Sequence, residues 1–294
     1  MARVAAFLTM EDTAGWSIDA GLAIPHLERR GWRVEWVPWR GSPRDWNAFD
    51  AVYMAAPWDY PRDAEGFLAL LERIDRSRAV LVNDLALVRW NITKTYLRDI
   101  EARGVPIVPS AWLERLAPGE LEPWFGHFRS DCLVVKPTVS TNATDTFVVQ
   151  RSAAAGLEAS LAAAFGGRPC LVQPFLPAVR SEGEYSLFFF GRRYSHAVLK
   201  SPRPGDFRVQ EEHGAEIRPI EPEPALHAAA SLIVDTVEPF PVYARCDLVR
   251  GAPGFLLMEL ELIEPSMYLR MDAAAPERFA AEFDRYVARR RARA

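Results

Sequence analysis

The chain has 294 residues, of which 49% are hydrophobic and 11% aromatic, enough for one large domain or for two to three small ones with buried cores. A formal net charge of -4 gives no basic surface for nucleic acid, and the one basic cluster, residues 289–293, is typical of a solvated helix end. The three cysteines are too dispersed for a disulfide framework or a zinc site, and no uncharged run reaches the roughly 18 residues of a membrane span. We therefore expect a cytoplasmic protein with neither nucleic acid nor membrane as partner.

Strand-like and helix-like segments alternate over the first 85 residues. Apolar runs predict strands at residues 3–8, 33–37, 50–54 and 79–83, and helical spacing predicts helices at 17–30 and 63–76. Such alternation favours an α/β domain with a parallel sheet, and the pattern changes near residue 85, where we place a domain boundary. No glycine-rich fingerprint of a dinucleotide site is present. The turn at 56–60 follows a strand and either lines a ligand pocket or simply packs.

Residues 91–100 predict the next helix, capped by Asn91 or Thr93 and closed by Gly104. Lys94 falls in its first turn, where the helix dipole favours anions and a lysine is the worse choice. A bound anion would explain this lysine, and an exposed surface lysine is the alternative.

A strand, a polar loop and a second strand follow. Residues 131–137 and 146–150 predict the strands, Lys136 stands near the end of the first, and the loop at 138–145 offers hydroxyl and backbone N–H groups that can cradle phosphate. The remaining segments predict helices at 152–165 and 224–237, a strand at 170–176 and a hairpin at 183–191 and 194–200.

An acidic hairpin lies near the end of the chain. Strand-like runs at 241–249 and 256–263 flank a Gly/Pro turn, and Asp247 lies 12 residues before Glu259. Glu259 and Glu261 point to one face because strand side chains alternate. Close carboxylates need counter-charge, and oxygen-only ligands suit Mg²⁺. A strand whose polar face meets solvent is the alternative interpretation.

Six short motifs occur in a characteristic order along the chain. They are 58–60 (WDY), 89–97 (RWNITKTYL), 195–200 (SHAVLK), 205–210 (GDFRVQ), 243–247 (YARCD) and 258–265 (MELELIEP). In this order they resemble the ATP-grasp ligases, the superfamily of glutathione synthetase, D-alanine ligase and the ribosomal-protein glutamate ligases, and within it most closely the cyclo-ligase of the cycloserine pathway and its relatives. The resemblance implies the ATP-grasp fold, with a Rossmann-like pre-ATP-grasp α/β domain at 1–85 and two α+β lobes, at 86–175 and 176–294, that clasp ATP.

The resemblance also implies roles for individual residues. Nucleotide phosphates would contact Lys94, Lys136, Ser140 and Thr141. The adenine edge would be bound by the hinge Gln173, Pro174 and Phe175, and the ribose by Glu184, with Glu182 as the nearby alternative. One or two Mg²⁺ ions, with Mn²⁺ as an alternative ion, would be held by Asp247, Glu259 and Glu261. The transferring phosphoryl group would be neutralised by Arg208, Lys200 and Arg245.

Two features depart from the family pattern. The loop at 138–145 contains no glycine where the family is usually glycine-rich, and Ser186 stands where some relatives carry arginine, so the acceptor substrate stays open. The implied activity is ATP- and Mg²⁺-dependent ligation, in which an acyl phosphate on a small amino-acid-like carboxylate is attacked by an amine or similar nucleophile, either within one molecule or between two. A nucleotide-binding protein without ligase activity and a phosphotransferase are the alternatives. The resemblance is compatible with a homo-oligomer, because members of the family are commonly dimers or tetramers, but the sequence leaves the oligomeric state open.

Overall fold

The structure is a computed structural model that describes residues 2–41 and 44–292, so that Arg293 of the basic cluster lies outside the described residues. Its strands form three sheets, two of four strands and one of five. No helix in this part of the chain combines the length and the apolarity needed to cross a bilayer. The domain boundaries near residues 85 and 175 stay predictions.

The first sheet is parallel throughout, as the alternating pattern predicts. Its strands are β1 (Arg3–Thr9), β2 (Trp32–Pro38), β3 (Ala51–Ala56) and β4 (Val80–Val82), in the order β2-β1-β3-β4. The predicted helix at 17–30 was wrong in extent, because only α1 (Ile24–Glu28) is α-helical and a 3₁₀ turn (Asp19–Ala23) precedes it. Pro25 fits the beginning of α1, where its missing N–H costs nothing. The second helix, α2 (Ala64–Asp75), agrees with its prediction.

Two short helices replace the single helix predicted at 91–100. These are α3 (Leu85–Asn91), capped by the Asp84 carboxylate, and α4 (Tyr96–Ala102), which Gly104 closes with a φ of +86°. Asn91 does not cap a helix, since its amide donates to the Leu260 carbonyl and accepts from the Leu262 N–H. Lys94 therefore lies in the turn between the helices, where its N–H donates to the Thr138 carbonyl over 2.8 Å. The prediction that Lys94 occupies a first helical turn was wrong.

The second sheet is antiparallel and carries the predicted strand-loop-strand unit. Its strands are β5 (Ala111–Leu113), β6 (Cys132–Pro137), β7 (Phe147–Gln150) and β8 (Cys170–Pro174), in the order β5-β8-β6-β7. The helices of this region are α5 (Glu122–Phe128), α6 (Ala154–Phe165) and α7 (Ala178–Ser181). Phe125 of α5 and Phe165 of α6 are buried in the core that covers this sheet. The sequence indicated neither β5 nor α5.

The third sheet contains both predicted hairpins. Its strands are β9 (Glu184–Phe190), β10 (Arg193–Ser201), β11 (Glu216–Ile220), β12 (Tyr243–Gly251) and β13 (Gly254–Glu261), in the order β11-β10-β9-β12-β13. Every neighbouring pair is antiparallel. Helix α8 (Pro224–Asp235) packs with α4 on one face of this sheet. The edge strand β11 was not predicted, and Pro219 within it is tolerated because an edge strand has one unpaired side.

The last helix, α9 (Ala275–Arg291), joins the first and third sheets through aromatic packing. The Phe279 ring lies 5.1 Å from that of Tyr53 in β3 and 5.5 Å from that of Phe190 in β9. Phe283, on the same helix, contacts Phe7 of β1 with ring centroids 6.4 Å apart. Because these rings are buried, α9 fixes the first sheet against the third and thereby shapes the space between them.

Candidate active site

One cleft between the three sheets is lined by all fourteen residues singled out in the sequence, with an empty volume of about 1600 Å³ that includes its open mouth. They are Lys94, Lys136, Ser140, Thr141, Gln173, Pro174, Phe175, Glu184, Lys200, Arg208, Arg245, Asp247, Glu259 and Glu261. Residues almost 170 positions apart in the chain therefore share one wall. Their individual roles stay predictions.

Strand alternation builds the charged wall of the cleft from the third sheet. Arg245 and Asp247 of β12 point to the same face as their cross-strand partners in β13, since Arg245 pairs with Glu261 and Asp247 with Glu259. On the far side of β9 the register pairs Glu184 with Lys200 of β10. The apolar residues between these positions point to the opposite face, so the charges form one continuous surface.

Ion pairs neutralise most of this surface. Arg245 donates to Asp247 over 2.8 Å and also to Glu261, while Lys200 contacts Glu184 and lies 3.4 Å from Asp247. Burial opposes ionisation of Asp247, but Arg245 and Lys200 lower its pKa to about 2. Burial raises the pKa of Glu261 to about 7 against the pull of Arg245.

Lys94 links the loop at 138–145 to the carboxylates. Its Nζ lies 3.0 Å from Glu259 Oε1 and donates to the Ser140 carbonyl over 3.0 Å. Thr141 Oγ1 donates to the Trp58 carbonyl over 2.7 Å, which attaches the loop to the turn at 56–60. Although the loop lacks glycine, Ala143 has a φ of +53°, a left-handed conformation that costs an alanine roughly 1–2 kcal/mol. The loop at 138–145 thus makes its tight turn without glycine.

Lys136 differs from the other cations of the cleft because, among the described residues, no hydrogen-bond acceptor or carboxylate pairs with its Nζ. Its side chain is only 8% exposed and lines the cleft. Burial lowers the pKa of Lys136, and the Glu259 carboxylate opposes that fall. An unpaired buried ammonium is costly, so this position favours an anionic ligand.

The segment at 173–175, the predicted hinge, already makes hydrogen bonds within the protein. The Gln173 amide donates to Ser110 Oγ over 2.8 Å, and the Phe175 N–H donates to the Cys132 carbonyl over 2.9 Å. Of the two candidates for the ribose, Glu184 lines the cleft, whereas Glu182 is outside its lining and pairs with Arg250 over 2.8 Å.

Arg208 and Ser186 occupy contrasting positions. Arg208 lines the cleft and pairs with Asp206 over 2.8 Å. Ser186 is fully buried beneath the charged surface and donates to Asp247 Oδ1 over 2.5 Å. Ser186 therefore supports a carboxylate and is not part of the lining.

The sequence analysis missed two aromatic residues of the cleft, Trp16 and Tyr268. Trp16 lines the cleft, and its ring lies 5.1 Å from that of Trp58. Trp58 and Tyr60, from the turn at 56–60, also line it, so this turn does border a pocket. Trp16 follows β1 at the carboxyl edge of the parallel sheet, where open α/β sheets bind ligands, and that position was a usable signal.

The carboxylates fit a hard divalent cation in donor type and orientation. Asp247, Glu259 and Glu261 supply only oxygen, lie on one face and line the cleft. Within the described residues no three acidic, histidine or cysteine groups converge on one point. Arg245 lies between Asp247 and Glu261, and Lys94 pairs with Glu259. A metal bound with a polyphosphate would substitute for these cations.

Comparisons with known proteins agree with this geometry. A family model described as the N-terminal domain of the D-cycloserine synthetase DcsG matches residues 5–83. The cycloserine biosynthesis protein DcsG of Streptomyces lavendulae is 32% identical over 271 residues, which cover 85% of this chain and 87% of that protein.

Solved structures extend the likeness to the whole chain. The crystal structure of D-cycloserine synthetase DcsG is similar with a TM-score of 0.83 and 28% identity, covering 97% of this chain and 99% of the other. The D-alanine–D-alanine ligase from Bacillus anthracis has a TM-score of 0.71 at 13% identity and covers 99% of both chains, a likeness of fold alone. The chain therefore belongs to the DcsG family of ATP-grasp enzymes, which are carbon–nitrogen ligases.

Proposed function

We propose that the chain uses ATP and Mg²⁺ to activate a small amino-acid-like carboxylate as an acyl phosphate and then joins it to a nitrogen nucleophile. The observation that carries this proposal is the meeting of two buried lysines, Lys94 and Lys136, with three carboxylates in one cleft. Phosphoryl transfer requires cations that bind the triphosphate and, opposite them, oxygen ligands for a metal.

The nucleotide would lie between the second and third sheets. Lys136, which pairs with no carboxylate among the described residues, would bind its phosphates, and Lys94 would exchange Glu259 for a phosphate oxygen. Ser140 Oγ accepts from Lys94 Nζ over 3.2 Å, and Thr141 Oγ1 donates to the Trp58 carbonyl, so we expect both hydroxyls to be available to the phosphates only after a local change of partner. The hinge at Gln173, Pro174 and Phe175 would contact the adenine. Glu184 would accept from the ribose hydroxyls.

The carboxylates of Asp247, Glu259 and Glu261 would hold Mg²⁺, which neutralises negative charge on the β- and γ-phosphates when bound. Lys200 and Arg245 keep Asp247 ionised and oriented, as its lowered pKa indicates. With Arg208, they also place positive charge where the transferring phosphoryl group needs it, normally the largest catalytic contribution.

The reaction has two steps, formation of the acyl phosphate and its reaction with the nitrogen nucleophile. A carboxylate oxygen of the substrate attacks the γ-phosphorus, the bond to the bridging oxygen breaks, and ADP leaves. A nitrogen then attacks the acyl carbon, phosphate departs, and the nitrogen loses a proton. The similarity to DcsG supports a cyclised product, which forms when the nitrogen belongs to the same molecule as the acyl group.

Trapping tests the proposal without knowledge of the natural nucleophile. The enzyme is incubated with ATP, Mg²⁺, a pool of amino acids and hydroxylamine, and ADP and hydroxamate are measured. We expect both to form in equal amounts. ADP release that yields a stable phosphorylated product would indicate a phosphotransferase, and the absence of ADP release would indicate a nucleotide-binding protein without ligase activity.

A further inference from the structure

Arg270 joins three segments of the chain that are far apart in sequence. Its Nη1 donates to Asp19 Oδ1 over 2.8 Å, and its Nη2 donates to Glu211 Oε2 over 2.5 Å. Its backbone N–H also donates to Asp19 Oδ2 over 3.3 Å. Asp19 begins the 3₁₀ turn that precedes α1, Glu211 lies in the β10–β11 loop, residues 202–215, and Arg270 follows β13. One guanidinium therefore connects a turn that follows β1 with two segments that extend from the third sheet.

The three ion-paired residues lie at the rim of the cleft. None of them lines it, but each is within three positions of residues that do. Arg270 Cζ lies 5.1 Å from the centroid of the Tyr268 ring, which is part of the lining. The lining residues next to the three ion-paired positions are Trp16, Arg208, Gln210, Glu212 and Tyr268. The ion pairs therefore join the walls of the cleft from outside, at its mouth.

Further polar contacts connect neighbouring segments around the mouth. His213 Nε2 of the β10–β11 loop lies 3.4 Å from the Asn142 carbonyl oxygen, in the loop at 138–145. Thr141 of this second loop donates to the Trp58 carbonyl. The ion pairs add charged links to these contacts, so that the segments bordering the mouth hold one another in place.

These ion pairs contribute little to the stability of the fold. The Arg270 and Glu211 side chains are 29% and 30% exposed, and exposed ion pairs typically contribute up to about 1 kcal/mol. A planar guanidinium between two carboxylates instead fixes geometry, because its donors point in set directions. Contacts of this strength can open when substrates enter and re-form once they are bound. Their position at the mouth is therefore better explained by closure of the cleft than by folding.

We propose that Arg270 is a positioning residue that closes the cleft over the acyl phosphate, by holding the β10–β11 loop, which carries Arg208, against the turn at Asp19. The inference rests on the proposed ligase function. Water that reaches an acyl phosphate adds to the acyl carbon, the bond to the phosphate oxygen breaks, and the carboxylate, phosphate and a proton are released. ATP is then consumed without product, a side reaction that closed active sites prevent.

The ratio of ADP to hydroxamate tests this assignment. The enzyme is incubated with ATP, Mg²⁺, hydroxylamine and a pool of amino acids, and both products are measured for the wild type and for variants. We expect equal amounts from the wild type, because hydroxylamine is enclosed with the substrate, and an excess of ADP of about threefold or more from Arg270→Gln, whose acyl phosphate meets water. Glu211→Gln should show a smaller excess, because the pair with Asp19 remains. Arg270→Lys should recover part of the coupling, because it keeps the charge.

Two exposed positions supply matched controls. Arg192→Gln breaks the ion pair between Arg192 and Glu238, at the turn between β9 and β10, and Glu101→Gln alters an exposed acid of α4. Both variants should keep the wild-type ratio of ADP to hydroxamate. The melting temperature of Arg270→Gln should stay within a few degrees of the wild type, because the ion pairs that it loses are exposed.

The outcomes separate this inference from the function on which it rests. Equal amounts of ADP and hydroxamate from Arg270→Gln, or a loss of both in the same proportion, would overturn the role of Arg270 and leave the ligase proposal standing. The absence of hydroxamate from the wild type would overturn both. A merely structural role cannot imitate the expected result, because partial unfolding lowers both products together and leaves their ratio unchanged.

Discussion

The two faces of the third sheet are built from alternating residues of the same strands, yet they differ in almost every property. One face carries Leu187, Phe189, Ala244, Cys246 and Leu260, which pack against α4 and α8 in a continuous apolar core. The other carries Glu184, Lys200, Arg245, Asp247, Glu259 and Glu261 at the wall of the cleft. Along β9, β12 and β13, residues that pack in the core therefore alternate with residues that line the cleft.

The difference teaches which face stabilises the fold. Apolar burial contributes roughly 25 cal/mol per Å² and carries no desolvation penalty, whereas ions lose their hydration when they are buried and regain little net energy from pairing. Burial of the charged face therefore costs free energy of folding, and burial of the apolar face must offset that cost. We expect substitutions on the charged face to remove activity with little loss of stability, and substitutions on the apolar face to do the reverse.

The largest expected effect follows from Glu259→Gln on the charged face. If Glu259 is a metal ligand as proposed, the variant lacks it, and we expect ADP release to fall by about a thousandfold or more while the melting temperature stays within a few degrees of the wild type. Steady-state assay and thermal melting measure the two quantities, with Glu101→Gln as the matched control. Wild-type ADP release from Glu259→Gln would remove the metal assignment.

On the apolar face, Phe189→Ala should lower the free energy of unfolding by about 3–5 kcal/mol. The ring is 2% exposed, so its removal leaves a cavity between β9 and the helices. Chemical denaturation measures the change. Leu232→Ala, on α8 but 50% exposed, is the control and should change stability little. Comparable losses in the two variants would contradict the division between the faces.

His196 lies at the end of the charged face, but it contributes to the stability of the fold and not to the cleft. It pairs with Phe188 across β9 and β10 and stacks on its ring at 4.3 Å, and its Nε2 donates to the Met267 carbonyl over 2.9 Å. Burial lowers the pKa of His196 from 6.5 to about 4, against the opposing effect of its hydrogen bond to Met267.

Because the folded-state pKa of His196 is lowered, the unfolded chain takes up a proton first as the pH falls. Stability from the neutral ring is present above pH 6.5 and is lost between pH 6.5 and about 4, by about 3 kcal/mol. The free energy of unfolding, measured across this range, should fall more steeply in the wild type than in His196→Gln. Parallel curves would show that the ring is not held neutral.

The smallest effect concerns the glycine-free loop. Thr141→Val removes the hydrogen bond to the Trp58 carbonyl, and we expect a loss of about 1 kcal/mol in loop positioning, or roughly a fivefold rise in the KM for ATP. Thr144→Val, at an exposed position of the same loop, should leave the KM unchanged. An equal response of the two variants would mean that the hydrogen bond to the Trp58 carbonyl does not position the loop.

Local signals in the sequence were sufficient for the acidic hairpin. The turn between β12 and β13 is short and rich in glycine and proline, and strand alternation alone assigns Asp247, Glu259 and Glu261 to one face. The parallel first sheet followed in the same way from its alternating segments. These features depend on neighbours within about a dozen residues, which a single sequence records.

Tertiary contacts produced the errors. The helix predicted at 91–100 breaks because the Asn91 amide bonds to β13 and the Lys94 N–H to Thr138, contacts that no local pattern encodes. The pairing of Glu184 with Lys200 depends on the register of β9 and β10, and the aromatic contact of Trp16 with Trp58 joins two separate turns. The motifs predicted which residues would meet, but not which charges would neutralise each other and which would stay free.

The central claim is that the charged face binds ATP through a metal. Calorimetric titration with a non-hydrolysable ATP analogue, with and without Mg²⁺, tests it most directly and needs no acceptor substrate. We predict that Mg²⁺ tightens binding about tenfold or more in the wild type, and that Glu259→Gln loses this dependence yet binds the metal-free analogue at least as well, since Lys94 is released. Equal affinity of the wild type with and without Mg²⁺, or an unchanged Mg²⁺ dependence in the variant, would contradict the account.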